Sequence, residues 1–126
     1  MLNTMPPADL QAAHCPSRSV LDHVTSRWGT LVLLVLQERT YRFSELRQRV
    51  GGVSEKMLAQ TLRVLEQDGF VKRQAFAEVP PRVEYELTEM GREIAVHLAN
   101  LGGWIEANLE RVLVARQAKG EGANSP

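Results

Sequence analysis

The sequence predicts a mainly α protein with one small β hairpin, an α+β fold in a single domain. Three observations lead there. Apolar residues recur at helical spacing over most of the chain, as at Leu58, Leu62 and Leu65. One segment, Phe70 to Leu87, reads instead as two short extended runs around Pro80-Pro81, which cannot continue a helix. The chain has 126 residues, 44% of them hydrophobic, which suffices for one core and not obviously for two.

The elements follow in order. Residues 1–14 hold two prolines among small polar residues and are expected to form a flexible arm. Pro16 precedes a first helix starting at Ser17 or Ser19, with Val20, Leu21 and Val24 on its apolar face. Gly29 marks a break, and Leu31 to Gln37 forms a second, largely buried helix. Thr40 to Phe43 is extended. Ser44 is the expected N-cap of a helix to Val50, ended by Gly51-Gly52. Ser54 caps the next helix, to Gln67, with Glu55 in its first turn where the helix dipole favours negative charge. Gly69 supplies its stop. The hairpin strands are Phe70 to Ala77 and Arg82 to Leu87. A last helix runs from Thr88 to Gln117, interrupted or closely packed at Gly102-Gly103, and residues 114–126 are its end and a disordered tail.

Composition narrows the function. No apolar run reaches the roughly 20 residues needed to cross a bilayer. The first residues lack the basic and apolar regions of a signal peptide, so a cytoplasmic location without membrane contact is expected. The single cysteine excludes an intramolecular disulfide and fits a reducing compartment. Net charge is zero, but its distribution is uneven. Arg39 to Arg63 carries a balance of +4, Phe70 to Arg82 +2, and Val83 to Val112 −4. A basic middle and an acidic last third suggest one face for a polyanion and another for a different task. Solvated helix faces are the plainer alternative.

Two helices joined by a glycine turn, the second strongly amphipathic, form a helix-turn-helix pattern. In that unit the second helix enters the DNA major groove and reads base edges. Its candidate contacts here are Ser54, Lys56, Met57, Gln60, Thr61 and Arg63. Lys and Arg suit the acceptors of guanine, and Gln pairs with adenine. The hairpin that follows completes the order of a winged helix-turn-helix. The wing and its flanks add Arg42, Ser44, Arg73, Pro81 and Arg82. Prolines stiffen a protruding tip, and Arg82 can contact phosphate or enter a minor groove. The last helix bears Leu98, Leu101, Trp104, Ile105, Leu109 and Val112, an apolar stripe that must bury itself, so a dimer interface is expected.

The stretches "SRWGTLVLLVL", "RFSELRQRVGGVSEKMLAQTLRVLEQDGFVKR" and "EVPPRVEYELTEMG" resemble the HxlR family of bacterial winged-helix transcriptional regulators. The resemblance covers Cys15 to Val112, so residues 15–113 are taken as the DNA-binding domain. Arg27-Trp28 stands where the family usually has Lys-Trp. The resemblance implies a homodimer built from the first and last helices, an inverted-repeat operator in double-stranded DNA, and repression. It also implies a regulatory role for Cys15, because several members sense oxidants or quinones at this place, although many do not. The cysteine precedes a helix, where the dipole lowers a thiol pKa, and Arg18 is near in sequence.

Enzymatic chemistry has no support in the motifs. There is no phosphate-binding glycine loop, no His-Glu-x-x-His and no paired-cysteine metal motif. His14, His23 and His97 are scattered, and no metal or cofactor is expected. The competing function is a winged-helix module for protein–protein contact or single-stranded nucleic acid. The operator, the regulated gene and any small-molecule effector are not encoded in these patterns.

Overall fold

The structure, a computed structural model, describes residues 7–123. Its helices are α1 (Pro16–Thr25), α2 (Arg27–Leu36), α3 (Phe43–Arg49), α4 (Glu55–Gln67), α5 (Glu89–Ala107) and α6 (Leu109–Ala123), and its strands are β1 (Tyr41–Arg42), β2 (Val71–Phe76) and β3 (Arg82–Leu87). The expected α+β class with a helix-turn-helix and a wing is present.

α2 is the central helix. Val32, Leu33, Val35 and Leu36 are buried, together with Leu46 of α3 and Leu58, Leu62 and Leu65 of α4. Burying a leucine side chain contributes roughly 1.5–3 kcal/mol, so this cluster sets how α3 and α4 stand on α2. The break between the first two helices falls at Ser26, not at the expected Gly29. Ser26 Oγ accepts from Gly29 N at 3.1 Å and so caps α2. Gly29 serves close approach instead: a Cβ there would lie 2.2 Å from the His23 carbonyl oxygen. Pro16 opens α1 after Cys15, slightly earlier than expected.

The start of α3 also differs. Its N-cap is Arg42, and Ser44 lies inside the helix. Glu45 Oε1 accepts from Arg42 N at 2.8 Å, and that carboxylate satisfies the orphan donor in place of a serine hydroxyl. The turn into α4 passes through Gly52 at φ +88°, a conformation that favours glycine. Ser54 Oγ then accepts from Met57 N at 3.1 Å, the expected cap of α4.

The hairpin is part of a three-stranded antiparallel sheet in the order β1-β3-β2. Tyr41 pairs with Tyr85 and Arg42 with Glu84, so the short extended segment before α3 anchors the wing. Register in the wing runs from Val71 opposite Leu87 to Phe76 opposite Arg82. Thr88 links wing to helix: its hydroxyl donates to the Gly69 carbonyl and accepts from Gly91 N, capping α5.

The expected single last helix is two. The interruption is at Asn108, not Gly102-Gly103. The Asn108 side-chain amide donates to the Trp104 carbonyl at 2.9 Å, competing with the helical ladder. A Cβ on Gly102 would meet only Leu34 at 3.9 Å, and one on Gly103 would meet nothing within 4 Å. α6 continues to Ala123, beyond the expected end at Gln117 and into the expected tail. Within the expected arm, residues 1–6 lie outside the described residues. Leu10 and Gln11 are held by Arg18, which donates to both carbonyls.

Candidate nucleic-acid interface

The buried spacing of Leu58, Leu62 and Leu65 turns the opposite side of α4 outward. Lys56, Met57, Gln60 and Arg63 are exposed on that side, and so is the capping Ser54. Lys56, Gln60 and Arg63 are spaced i, i+4, i+7 and form one stripe. Thr61 is half-buried and lines a small cleft against α1 with Asp22, His23 and Ser26, a cleft that the exposed Gln60 borders as well.

Ion pairing sorts the basic residues into two groups. Arg39 pairs with Glu45, Arg49 with Glu38, Arg47 with Glu55 at 4.0 Å and Lys72 with Glu86 at 3.9 Å. Arg82, expected to reach DNA, is the most engaged of all. Its Nη2 lies 3.0 Å from Glu78, its Nη1 2.9 Å from Glu84, and its guanidinium stacks 3.9 Å over the Phe76 ring. With a side chain 26% exposed, it staples the two strands near the tip instead of projecting from them. Among the described residues Arg42, Lys56, Arg63 and Arg73 have no carboxylate within ion-pair distance. A cation without a partner keeps its donors available for an incoming phosphate or base edge.

Two of these four meet. Arg63 of α4 and Arg73 of β2 line one cleft of about 300 Å³, with Ala59, Leu62 and Glu66 on the helix side and Tyr85 on the sheet side. The cleft joins helix and wing into one continuous face. Pro81 and Ser44 are exposed, do not line this cleft, and make no side-chain contact that assigns either a role. The pairing of Arg82 could not be foreseen from composition. Its signal was the acidic pair Glu78 and Glu84 on either side in sequence.

The apolar stripe of α5 and α6 divides at Leu98. Leu98 is 6% exposed and belongs to the core of the single chain. Leu101 is 53% exposed and Trp104 55%, and Ile105 and Leu109 are exposed as well, while Val112 is half-buried. Leu113 and Val114 extend the exposed apolar surface, and sequence reasoning had not included them.

Cys15 is partly exposed at the N-cap of α1. Ser17 Oγ donates to its Sγ at 3.0 Å and Asp9 N at 3.4 Å. These bonds, the Ser17 hydroxyl first, hold the thiol pKa below its ordinary value, against smaller opposing effects of desolvation and then of the Asp9 carboxylate. Arg18, near in sequence, points instead to the Leu10 and Gln11 carbonyls.

A helix-turn-helix whose second helix is exposed beside a stapled hairpin defines a winged helix-turn-helix protein. The chain belongs to the HxlR-like helix-turn-helix family, whose model matches residues 23–113. It is 57% identical over 111 residues to the HTH-type transcriptional regulator YtfH of Escherichia coli K12, covering 88% of each chain. The solved structure of the putative transcriptional regulator YtfH from Salmonella typhimurium superposes with a TM-score of 0.84 at 55% identity, covering 88% of this chain and 99% of that one. The redox regulator HypR in its oxidised form superposes at 0.69 with 35% identity, covering 75% and 97%. The family and these relatives are helix-turn-helix transcriptional regulators, not enzymes, and this chain is a transcriptional regulator of that fold. Cys15 lies outside the span that the family model matches. Among the described residues no helix is long and apolar enough to cross a membrane.

Proposed function

We propose that the protein is a cytoplasmic homodimeric repressor that binds an inverted-repeat operator in double-stranded DNA. α4 lies in the major groove, with Lys56, Gln60 and Arg63 toward base edges and Ser54 and Met57 at the entering end. The wing lies along the neighbouring backbone, with Arg73 and Arg42 toward phosphate. The observation that carries this is the placement of Arg63 and Arg73, neither of them ion-paired, on one cleft between recognition helix and wing. Neutral net charge does not oppose it, because Arg39, Arg47, Arg49, Lys72 and Arg82 are matched by carboxylates and these two are not. The dimer uses Leu101, Trp104, Ile105 and Leu109, whose exposure on one chain is otherwise unfavourable. This reading requires the two recognition helices to lie about 34 Å apart, one turn of DNA.

Selection of bound duplexes from a random library supplies the operator. Titration of the parent, Gln60→Ala and Arg63→Ala against that operator and a scrambled duplex then tests the assignment. Losses of about 1–3 kcal/mol with relaxed sequence preference are expected. If both variants bind like the parent, α4 is not the reading helix. A parent with no preference for one duplex would favour the protein-contact or single-strand alternative.

Cys15 supports a further layer of the same function. Its hydrogen-bonded thiol favours the thiolate, the reactive form, and the redox regulator HypR shares the fold. Cys15 is then a sensor of oxidants or electrophiles. With no second cysteine in the chain, oxidation leads to a disulfide between subunits or with a small thiol, and an electrophile alkylates the sulfur. Operator binding before and after diamide, in parent and Cys15→Ser protein, decides it. Equal insensitivity of both removes the sensor and leaves DNA binding standing.

A further inference from the structure

A cavity of about 540 Å³ opens between the C-terminal end of α2, the β1–β3 side of the sheet and the first turns of α5. It shares no lining residue with the cleft between α4 and the wing. Its volume is that of a small-molecule site. Leu36 and Leu87 are buried beneath it, and Val96 stands exposed at one wall. Gln37, Arg39, Thr40, Glu86 and Arg92 surround it with polar groups.

Most of those polar groups are already occupied. Thr40 Oγ1 donates to Glu86 Oε2 at 3.3 Å, and Lys72 lies 3.9 Å from the other oxygen. Arg39 donates to the Thr40 carbonyl and to Glu45, and stacks on the Tyr41 ring. Arg92 differs. Its Nη1 donates to the Leu87 carbonyl at 3.1 Å, which fixes the guanidinium beside the apolar floor. Among the described residues no carboxylate lies within ion-pair distance of it. A guanidinium offers five donors, so most of its capacity remains.

We propose that this cavity binds a small organic carboxylate with an apolar body, and that its occupancy changes the affinity for DNA. The planar guanidinium of Arg92 matches a carboxylate. Leu36, Leu87 and Val96 match a hydrocarbon body and offer nothing to inorganic phosphate. The cavity spans parts with different tasks. Glu86 and Leu87 belong to the wing, and Arg92 and Val96 to the helix that carries the exposed apolar stripe. A ligand touching both favours one placement of wing against helix, and shifts DNA affinity by its preference between placements. The regulatory step rests on the DNA-binding function proposed above, and the binding step does not.

The test uses the full ¹⁵N-labelled chain, titrated with benzoate and with benzamide, its neutral counterpart of the same shape. Saturable shifts are expected at the amides of Thr40, Leu87, Arg92 and Val96, with a dissociation constant of about 1–10 mM for so small a probe. Binding should weaken about tenfold for benzamide and for Arg92→Gln, while Arg92→Lys keeps most of it. The spectra of the variants report their folding directly. Shifts that do not saturate, that centre elsewhere, or that persist unchanged in Arg92→Gln overturn the site. In a second arm, saturating benzoate should change the parent's operator affinity about threefold or more and leave Arg92→Gln unaffected. An unchanged parent overturns the regulatory half. A parent that binds no duplex with or without benzoate counts against the DNA-binding function, and the spectra still decide the site.

Discussion

His23 Nδ1 lies 2.6 Å from Asp68 Oδ2, a bond that ties α1 to the C-cap of α4 across forty-five positions of sequence. Both side chains are only partly exposed. The pair fixes the far end of α4, whose near end is held by the Ser54 cap. In a double-mutant cycle of His23→Ala and Asp68→Ala, urea unfolding should give a coupling of about 0.5–1.5 kcal/mol. A coupling of zero would show the contact to be dispensable for α4.

Arg73 and Arg82 sit on the same wing and should behave differently. Arg73→Ala removes an unpaired cation, so it should weaken binding evenly across sequences and reduce the salt slope by about 1. Arg82→Ala removes the bonds to Glu78 and Glu84 and leaves those carboxylates unneutralised on the wing. It should lower affinity with little change in salt slope beyond that local charge, and it should raise backbone mobility at residues 77–81 in relaxation measurements. Equal behaviour of the two variants in both measurements would place Arg82 on the DNA after all.

Leu98 and Leu101 are three positions apart and separate the core from the proposed interface. Leu98→Ala should destabilise the chain by about 2–5 kcal/mol through the cavity it leaves. Leu101→Arg or Leu109→Arg should leave the fold intact by circular dichroism and give monomers that bind the operator weakly. Sedimentation of the parent as a monomer at micromolar concentration would count against the dimer.

The Cys15 thiol should alkylate with a pH midpoint below the ordinary cysteine value of about 8.5. Ser17→Ala removes the first cause of that lowering, so its midpoint should move up toward the ordinary value. Iodoacetamide rates across pH, followed by mass spectrometry, measure both. An unmoved midpoint in Ser17→Ala would detach the lowered pKa from this hydrogen bond.

Glu38 is held below the usual carboxylate range, first by Arg49 and next by the Tyr41 hydroxyl. A depressed carboxyl contributes stability that is fully present above its unfolded pKa and is lost as pH falls through the lower folded one. Glu38→Gln should therefore lower the Tm at about pH 7, and the gap to the parent should narrow progressively as pH falls below the unfolded carboxyl value of about 4.3. A gap that stays constant over this range would exclude the ion pair as its cause.

The local pieces of this protein were legible in its sequence. Ser54 and Gly69 bound α4 because a cap hydroxyl and a positive-φ glycine act on their own few neighbours. The spacing of Leu58, Leu62 and Leu65 selects the buried side of α4 for the same reason, and with it the outward Lys56, Gln60 and Arg63. Helix, turn, helix and hairpin in that order then name the fold. Where a local signal was ambiguous, packing decided. Gly29 looked like a break and is a point of helix contact, while Ser44 looked like a cap and yielded to Glu45 acting on Arg42. The rest depends on residues that only folding brings together. Glu38 reaches Arg49, Glu86 reaches Lys72 and Thr40, and Tyr41 finds Tyr85 to extend the sheet. Those meetings decide which cations are neutralised within the chain and which have no carboxylate partner among the described residues. Charge counted along a sequence cannot separate them, because an ion pair needs its atoms within a few ångströms and sequence position does not specify that distance.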